Sequence, residues 1–307
     1  MEVITRISQL RDCLASHRLN QGPDRVKVGL VATMGFLHAG HASLIKAAKA
    51  QTDIVVLSIF VNPLQFGPNE DFDKYPRDAE RDLHLAEAEG VDIVFAPSVE
   101  EMYPGPMKTT VSVSGLTARL CGATRPGHFD GVATVVSKLF HIVQPDKAFF
   151  GQKDAQQIAV IQQMVSDLNF PVDIVPCPTL READGLAMSS RNVYLSEAER
   201  RQALVLSQSL AIAADFIRDH PQFSAEELMS EISNHIRTAS LGEIDYIEVL
   251  AYPSLEPFKR SDELESDQVI VALAVKFSKA RLIDNQLFSN KFSKSDLIDN
   301  QLISLRK

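Results

Sequence analysis

Short apolar, β-branched runs alternate with segments of helical period through the first 175 residues. That alternation predicts a parallel sheet with helical crossovers. The expected strands cover 26–33 (VKVGLVAT), 53–60 (DIVVLSIF), 91–97 (VDIVFAP), 147–151 (KAFFG) and 172–177 (VDIVPC). Between them, Val132, Val135, Val136, Leu139, Phe140 and Val143 recur at helical spacing, so 131–143 is expected as an amphipathic helix facing the sheet. Segments 77–90 and 155–168 read as further crossovers.

After about residue 179 the pattern changes. A polar loop gives way to a long helix near 196–219, a shorter one near 224–238, and strands at 244–250 and 268–277, which is a smaller α+β unit. The stretch FSKARLIDNQL (277–287) is echoed by FSKSDLIDNQL (292–302) with nine of eleven positions identical. Two copies are too few for a solenoid, so a duplicated, partly disordered tail is expected, with an added contact surface as the alternative.

A chain of 307 residues can hold two domains and a sizeable core. Its net charge of −9 and the lack of any Lys/Arg run disfavour nucleic acid as a partner, because phosphate binding needs clustered cations. Three widely spaced cysteines without CxxC pairing suit a reducing compartment. Cys121 and Cys177 read as small packing residues. No stretch reaches the length of a membrane span and the first residues lack a signal-peptide core, so a cytoplasmic protein with no membrane partner is expected.

The chemistry concentrates in TMGFLHAGH (33–41), where the first strand turns into a helix. Ligands of open α/β sheets sit at such turns, and a helix N-terminus suits a phosphate. Gly35 and Gly40 permit close backbone approach, and His38 and His41 are near-neighbours that can reach one anion. Other readings stay open: two ordinary satisfied histidines, or a zinc site, which lacks HExxH and a third ligand at suitable spacing. A dinucleotide fold is disfavoured by the missing GxGxxG.

Four further stretches carry polar groups at expected strand ends or loops. FVNPLQF brings Asn62 and Gln65, TRPGHF brings Arg125 and His128, GQKD brings Lys153 and Asp154, and AMSSR brings Ser189, Ser190 and Arg191. Each has a plainer reading. Asp154 suits a helix cap, Arg125 a surface ion pair with a carboxylate, and Asn62 a turn before Pro63.

HAGH resembles the HxGH signature of the adenylyl-transferring α/β superfamily. With the other four motifs in order, residues 1–285 resemble the pantothenate synthetase (pantoate–β-alanine ligase) family. The resemblance implies a Rossmann-like α/β domain over 1–178 and a smaller α+β C-terminal lid domain over 179–307, in a homodimer. It implies condensation of pantoate with β-alanine to pantothenate, a coenzyme A precursor, through a pantoyl adenylate. ATP is then co-substrate and Mg²⁺ the metal.

The same resemblance implies roles for residues. Met34, Gly35, Phe36, Leu37, His38, Ala39, Gly40 and His41 would form the nucleotide turn, with His41 as catalytic acid and His38 on the phosphates. Gly151, Gln152, Lys153 and Asp154 would bind ribose and phosphates, Leu180 would lie by the adenine, and Met188, Ser189, Ser190 and Arg191 would close over the triphosphate. Lys153 and Arg191 would meet charge built in the reaction. Gln65 and Gln157 would hold pantoate, supported by Asn62 and Arg125. The chain departs from the family pattern at Ala32, where a proline is usual, and at Arg81, where an acid is usual, which leaves Asp82 as the candidate metal ligand. A nucleotidyltransferase acting on a phosphate acceptor is the competing reading; the uncharged Asn62, Gln65 and Gln157 argue against it.

Overall fold

A computed structural model describes residues 1–19, 25–68, 70 and 72–289. The chain divides into two compact units, one of residues 1–181 with 188–190, the other of 182–187 with 191–307. The first unit is a parallel α/β sheet and the second an α+β arrangement on an antiparallel sheet.

In the first unit six strands lie in the order β1-β4-β3-β2-β5-β6: β1 (Glu2–Ile4), β2 (Val28–Thr33), β3 (Ile54–Ile59), β4 (Ile93–Phe95), β5 (Lys147–Gly151) and β6 (Asp173–Cys177). Every pairing is parallel. Val28, Leu30, Val31, Val55, Val56 and Leu57 are fully buried, as expected of strands covered on both faces. The helices are α1 (Ile7–Leu19), α2 (Ala39–Lys49), α3 (Ala79–Ala88), α4 (Val99–Met102), α5 (Leu120–Thr124), α6 (His128–Val143) and α7 (Ala155–Asp167). Five strands fall where the apolar runs put them. The edge strand β1 was not expected, because three residues carry no readable period.

The order of the strands reverses between β2 and β5. β3 and β4 extend the sheet on one side of β2, whereas β5 and β6 extend it on the other. Such a reversal opens a crevice beyond the carboxyl ends of the two central strands. The HAGH turn follows β2 and the GQKD turn follows β5, so both motifs flank that crevice.

The second unit contains α8 (Glu197–Gln202), α9 (Val205–Asp219), α10 (Ala225–Ile236) and the meander β7 (Gly242–Tyr252), β8 (Gln268–Phe277) and β9 (Ala280–Ser289). Leu206, Leu210, Ile217, Leu228, Ile232 and the inward side of β8 share one core. The single helix expected over 196–219 is two, α8 and α9. A further correction concerns the repeat. Its first copy is the ordered strand β9, paired along its whole length with β8, with Ala280, Leu282 and Phe288 buried. The second copy, 292–302, lies outside the described residues.

Candidate active site

The turn after β2 is fixed by its own side chains. Thr33 Oγ1 donates to the Ser58 carbonyl at 2.7 Å and accepts the Gly35 N–H at 3.2 Å. Gly35 has φ +81°, and a β-carbon there would meet Asp82 Oδ2 at 2.9 Å, so only glycine fits without strain. Phe36 also lies at positive φ, +48°, with Arg81 stacked over its ring at 4.7 Å. Ala32 remains within the β2 ladder opposite Ser58, so the missing proline leaves the strand intact.

The two histidines cap α2 reciprocally. Nδ1 of His38 accepts the Gly40 N–H at 3.1 Å, and Nδ1 of His41 accepts the His38 N–H at 3.3 Å. The residues at the N-terminus of a helix have no partner within the helix, and these bonds satisfy two of them. With Nδ1 as acceptor, each ring carries a proton on Nε2. Gly40 is required between them: a β-carbon there would lie 2.8 Å from the His38 ring. The rings sit 4.1 Å apart.

His41 is held neutral by more than its hydrogen bond. Desolvation, followed by the fields of His38 and Lys153, lowers its pKa from 6.5 to about 3. The role of catalytic acid expected of His41 concerns the nucleotide-bound state. In the free protein at neutral pH His41 offers a hydrogen bond from Nε2. Lys153 lies in the short helix Gln152–Asp154 after β5, and its charge is felt at His41.

Asp82, expected as a metal ligand, does different work. On α3 and 1% exposed, its Oδ2 accepts the Phe36 N–H at 2.8 Å and its Oδ1 the Leu37 N–H at 2.6 Å. Both oxygens are engaged in holding the turn. The arginine beside it compensates part of its buried charge, although burial still raises its pKa.

Beyond β3, Asn62 and Gln65 are both buried. Asn62 Oδ1 accepts from Leu64 N (3.3 Å) and Tyr103 Oη (2.8 Å), and its Nδ2 donates to Gln65 Oε1 (3.2 Å) and the Gly131 carbonyl (3.0 Å). Its amide is fully engaged, and Asn62 thereby orients Gln65. It also caps the short helix Pro63–Gln65, as the turn reading anticipated. Gln65 Nε2 in turn lies 2.9 Å from Met34 Sδ, which joins this cluster to the nucleotide turn. Helix α6 approaches so closely that a β-carbon on Gly131 would sit 2.2 Å from the Leu64 carbonyl.

Arg125 is likewise committed. It grips Glu70 with two bonds of 2.7 and 2.5 Å, and reaches His128 Nε2 (3.0 Å) and the Gln65 carbonyl (3.3 Å). The ion pair that its surface reading anticipated is thus present, with Glu70 as partner. His128 donates from Nδ1 to the same carbonyl at 2.7 Å, and desolvation, then Arg125, lowers its pKa to about 4. Gln157, half-buried in the first turn of α7, has no side-chain hydrogen bond among the described residues, whereas its neighbour Gln156 ties down the Leu116 and Arg119 carbonyls.

Met188–Ser190 belongs to the first unit. Met188 N donates to the Leu180 carbonyl at 3.0 Å, and Ser190 Oγ lies 3.4 Å from Tyr75 Oη. Met188 Cβ is 3.7 Å from where a Gly40 β-carbon would be, so this strand of chain passes over the start of α2. Asp154 stands at the N-cap of α7 but makes no capping bond, and its charge is felt at His128. Arg191 begins the other unit. Glu70 and Tyr103 were missed by sequence reasoning. Tyr103 follows the short helix α4 after β4, where position beyond a strand end was the available signal; nothing local marks Glu70.

The sequence profile of the family described as pantoate-beta-alanine ligase matches residues 2–287. The chain belongs to that family. It is 56% identical over 285 residues to the pantothenate synthetase of Acetivibrio thermocellus, covering 93% of this chain and 98% of that one. Among solved structures, pantothenate synthetase from Thermus thermophilus superposes with a TM-score of 0.84 at 44% identity, covering 93% of this chain and 99% of that chain. A pantoate-beta-alanine ligase from Francisella tularensis, complexed with beta-gamma ATP and beta-alanine, gives 0.72 at 33% identity, covering 96% and 100%.

Proposed function

We propose that this protein condenses (R)-pantoate with β-alanine, using ATP and releasing AMP and pyrophosphate, through a pantoyl adenylate. The observation that carries the reading is the pair of histidines capping α2, with the Lys153 charge felt at His41, at the point where the sheet order reverses. A pantoate carboxylate oxygen attacks the α-phosphorus of ATP, and the bond to the bridging oxygen breaks as pyrophosphate leaves with the electron pair. Charge grows on the phosphoryl oxygens and the leaving group. Two Nε2–H donors from the turn after β2 and one ammonium from the turn after β5 suit that charge. With nucleotide bound, His41 is the catalytic acid.

In the second step the β-alanine amine attacks the acyl carbon, AMP departs, and the amine proton passes to solvent. Gln65, oriented by Asn62, and the unengaged Gln157 are the groups proposed to hold pantoate. Gly151–Asp154 take ribose and phosphates, Leu180 lies by the adenine, and Met188–Ser190 cover the nucleotide, with Arg191 adding charge to the triphosphate. A domain division at 178/179, with the C-terminal part as a lid that excludes water from the adenylate, belongs to the same reading. So do a homodimer, a cytoplasmic location, for which the three unbonded cysteines speak, and Mg²⁺ as partner of the triphosphate. Among the described residues no helix is long and apolar enough to cross a membrane.

ATP–pyrophosphate isotope exchange with the purified protein tests this. Exchange that needs pantoate but not β-alanine is expected. Absence of exchange in protein that binds ATP would remove the adenylate from the mechanism.

A further inference from the structure

Away from the crevice, at the outer edge of the sheet, Glu2, Cys13 and His17 bring one ligand atom each to within 4.8 Å of one another. Among the described residues this is the one such group of three. Cys13 and His17 stand four apart on α1, hence one above the other on the same face. Glu2 comes from β1, whose register against β4 is fixed from its first residue. The frame is stiff: Leu10 and Leu14 are buried and set the rotation of α1, and Glu101 Oε1 accepts the Ile7 N–H at 2.8 Å where the helix starts.

The three groups are not explained by one another. Cys13 Sγ makes a weak contact with Glu2 Oε2 at 3.7 Å, but no hydrogen bond among the described residues engages His17. A thiolate, an imidazole and a carboxylate form the donor set of zinc, whereas magnesium and calcium prefer oxygen alone. Donor atoms around tetrahedral zinc stand about 3.5 Å apart, so side-chain adjustments of about an ångström close the site.

We propose that Glu2, Cys13 and His17 form a binding site for zinc or a similar divalent transition metal, with water as the fourth ligand, that staples α1 to the sheet edge. On binding, the Cys13 thiol loses its proton to solvent. The site is independent of catalysis. The metal binds the folded chain and so stabilises it.

Cobalt titration of the metal-free, full-length protein reads this directly. One equivalent of Co²⁺ is expected to produce a thiolate-to-cobalt charge-transfer band, and Zn²⁺ to displace it. Cys13→Ser should abolish the band while Cys121 and Cys177 remain as internal controls. His17→Ala and Glu2→Gln should each weaken Co²⁺ affinity by about tenfold or more. Pyrophosphate exchange and the metal-free melting temperature should be unchanged in Cys13→Ser. No band in the wild type, or a band that survives Cys13→Ser or is unmoved by His17→Ala, overturns the site.

Discussion

Oδ1 of Asp82 accepts the peptide N–H of Leu37 at 2.6 Å, and so ties α3 to the turn that carries both histidines. A carboxylate with two backbone donors is a charge-assisted clamp, stronger than a pair of neutral hydrogen bonds. It also explains why Phe36 can be held at φ +48°, a conformation that costs of order 1–3 kcal/mol in a non-glycine residue.

Asp82→Asn keeps the shape but turns an NH₂ group toward one of the two peptide N–H groups. We expect a loss of about 1–3 kcal/mol in unfolding free energy, as for a buried donor left without a partner. Pyrophosphate exchange should fall with it, because the histidines lose their platform. Adding Mg²⁺ should not restore it. Rescue of the variant by high Mg²⁺ would identify Asp82 as a metal ligand.

The ion pair of Arg125 and Glu70 predicts a coupling. Both side chains are largely but not wholly covered, 18% and 25% exposed, so the pair stands between a surface bridge and a buried one. A double-mutant cycle of Arg125→Met and Glu70→Gln should give an interaction energy within about 0.5–3 kcal/mol. Each single variant should raise the KM for pantoate more than it lowers kcat, since the pair holds the Gln65 carbonyl and not the reacting atoms. Equal loss in kcat with unchanged KM would point to direct contact with the transition state.

Periodicity made the sheet legible, and order along the chain made the site legible. Four parallel strands were readable because strands covered on both faces are continuous apolar runs, and the edge strand β6 by its β-branched residues; β1, three residues at the other edge, was not. The residues of the nucleotide turn were legible because a strand, glycines and a helix fix where they must lie. Their partners were not. Asp82, 45 residues after Leu37, and Glu70, 55 before Arg125, are joined to the site only by the packing of distant elements. Likewise, Asn62 and Arg125 carry the polar atoms expected of substrate ligands, but the fold supplies protein partners for them first. Strand β9 was hidden by its repeat, which made an alternating strand look like a duplicated tail.

The histidines give a dependence of stability on pH with a definite sign. His41 and His128 have folded-state values of about 3 and about 4, below the ordinary 6.5 they regain on unfolding. Between those values and 6.5 the unfolded chain binds more protons than the folded one, so stability rises with pH in that window and is lost as pH falls. Above 6.5 both states are neutral at these positions and the contribution is complete. Each such group contributes a slope of about 1.4 kcal/mol per pH unit inside its window. Urea unfolding from about pH 4.5 to about pH 6 should therefore show a slope that drops by about one proton's worth in His41→Asn. The asparagine carbonyl can still accept the His38 N–H, so the cap persists while the titration disappears. An unchanged slope would mean that His41 is protonated in the folded protein throughout that range. Phosphate charge beside the ring raises its pKa, so the same titration followed by NMR with ATP present should move His41 toward 6.5, whereas His128, locked between Arg125 and the Gln65 carbonyl, should stay low.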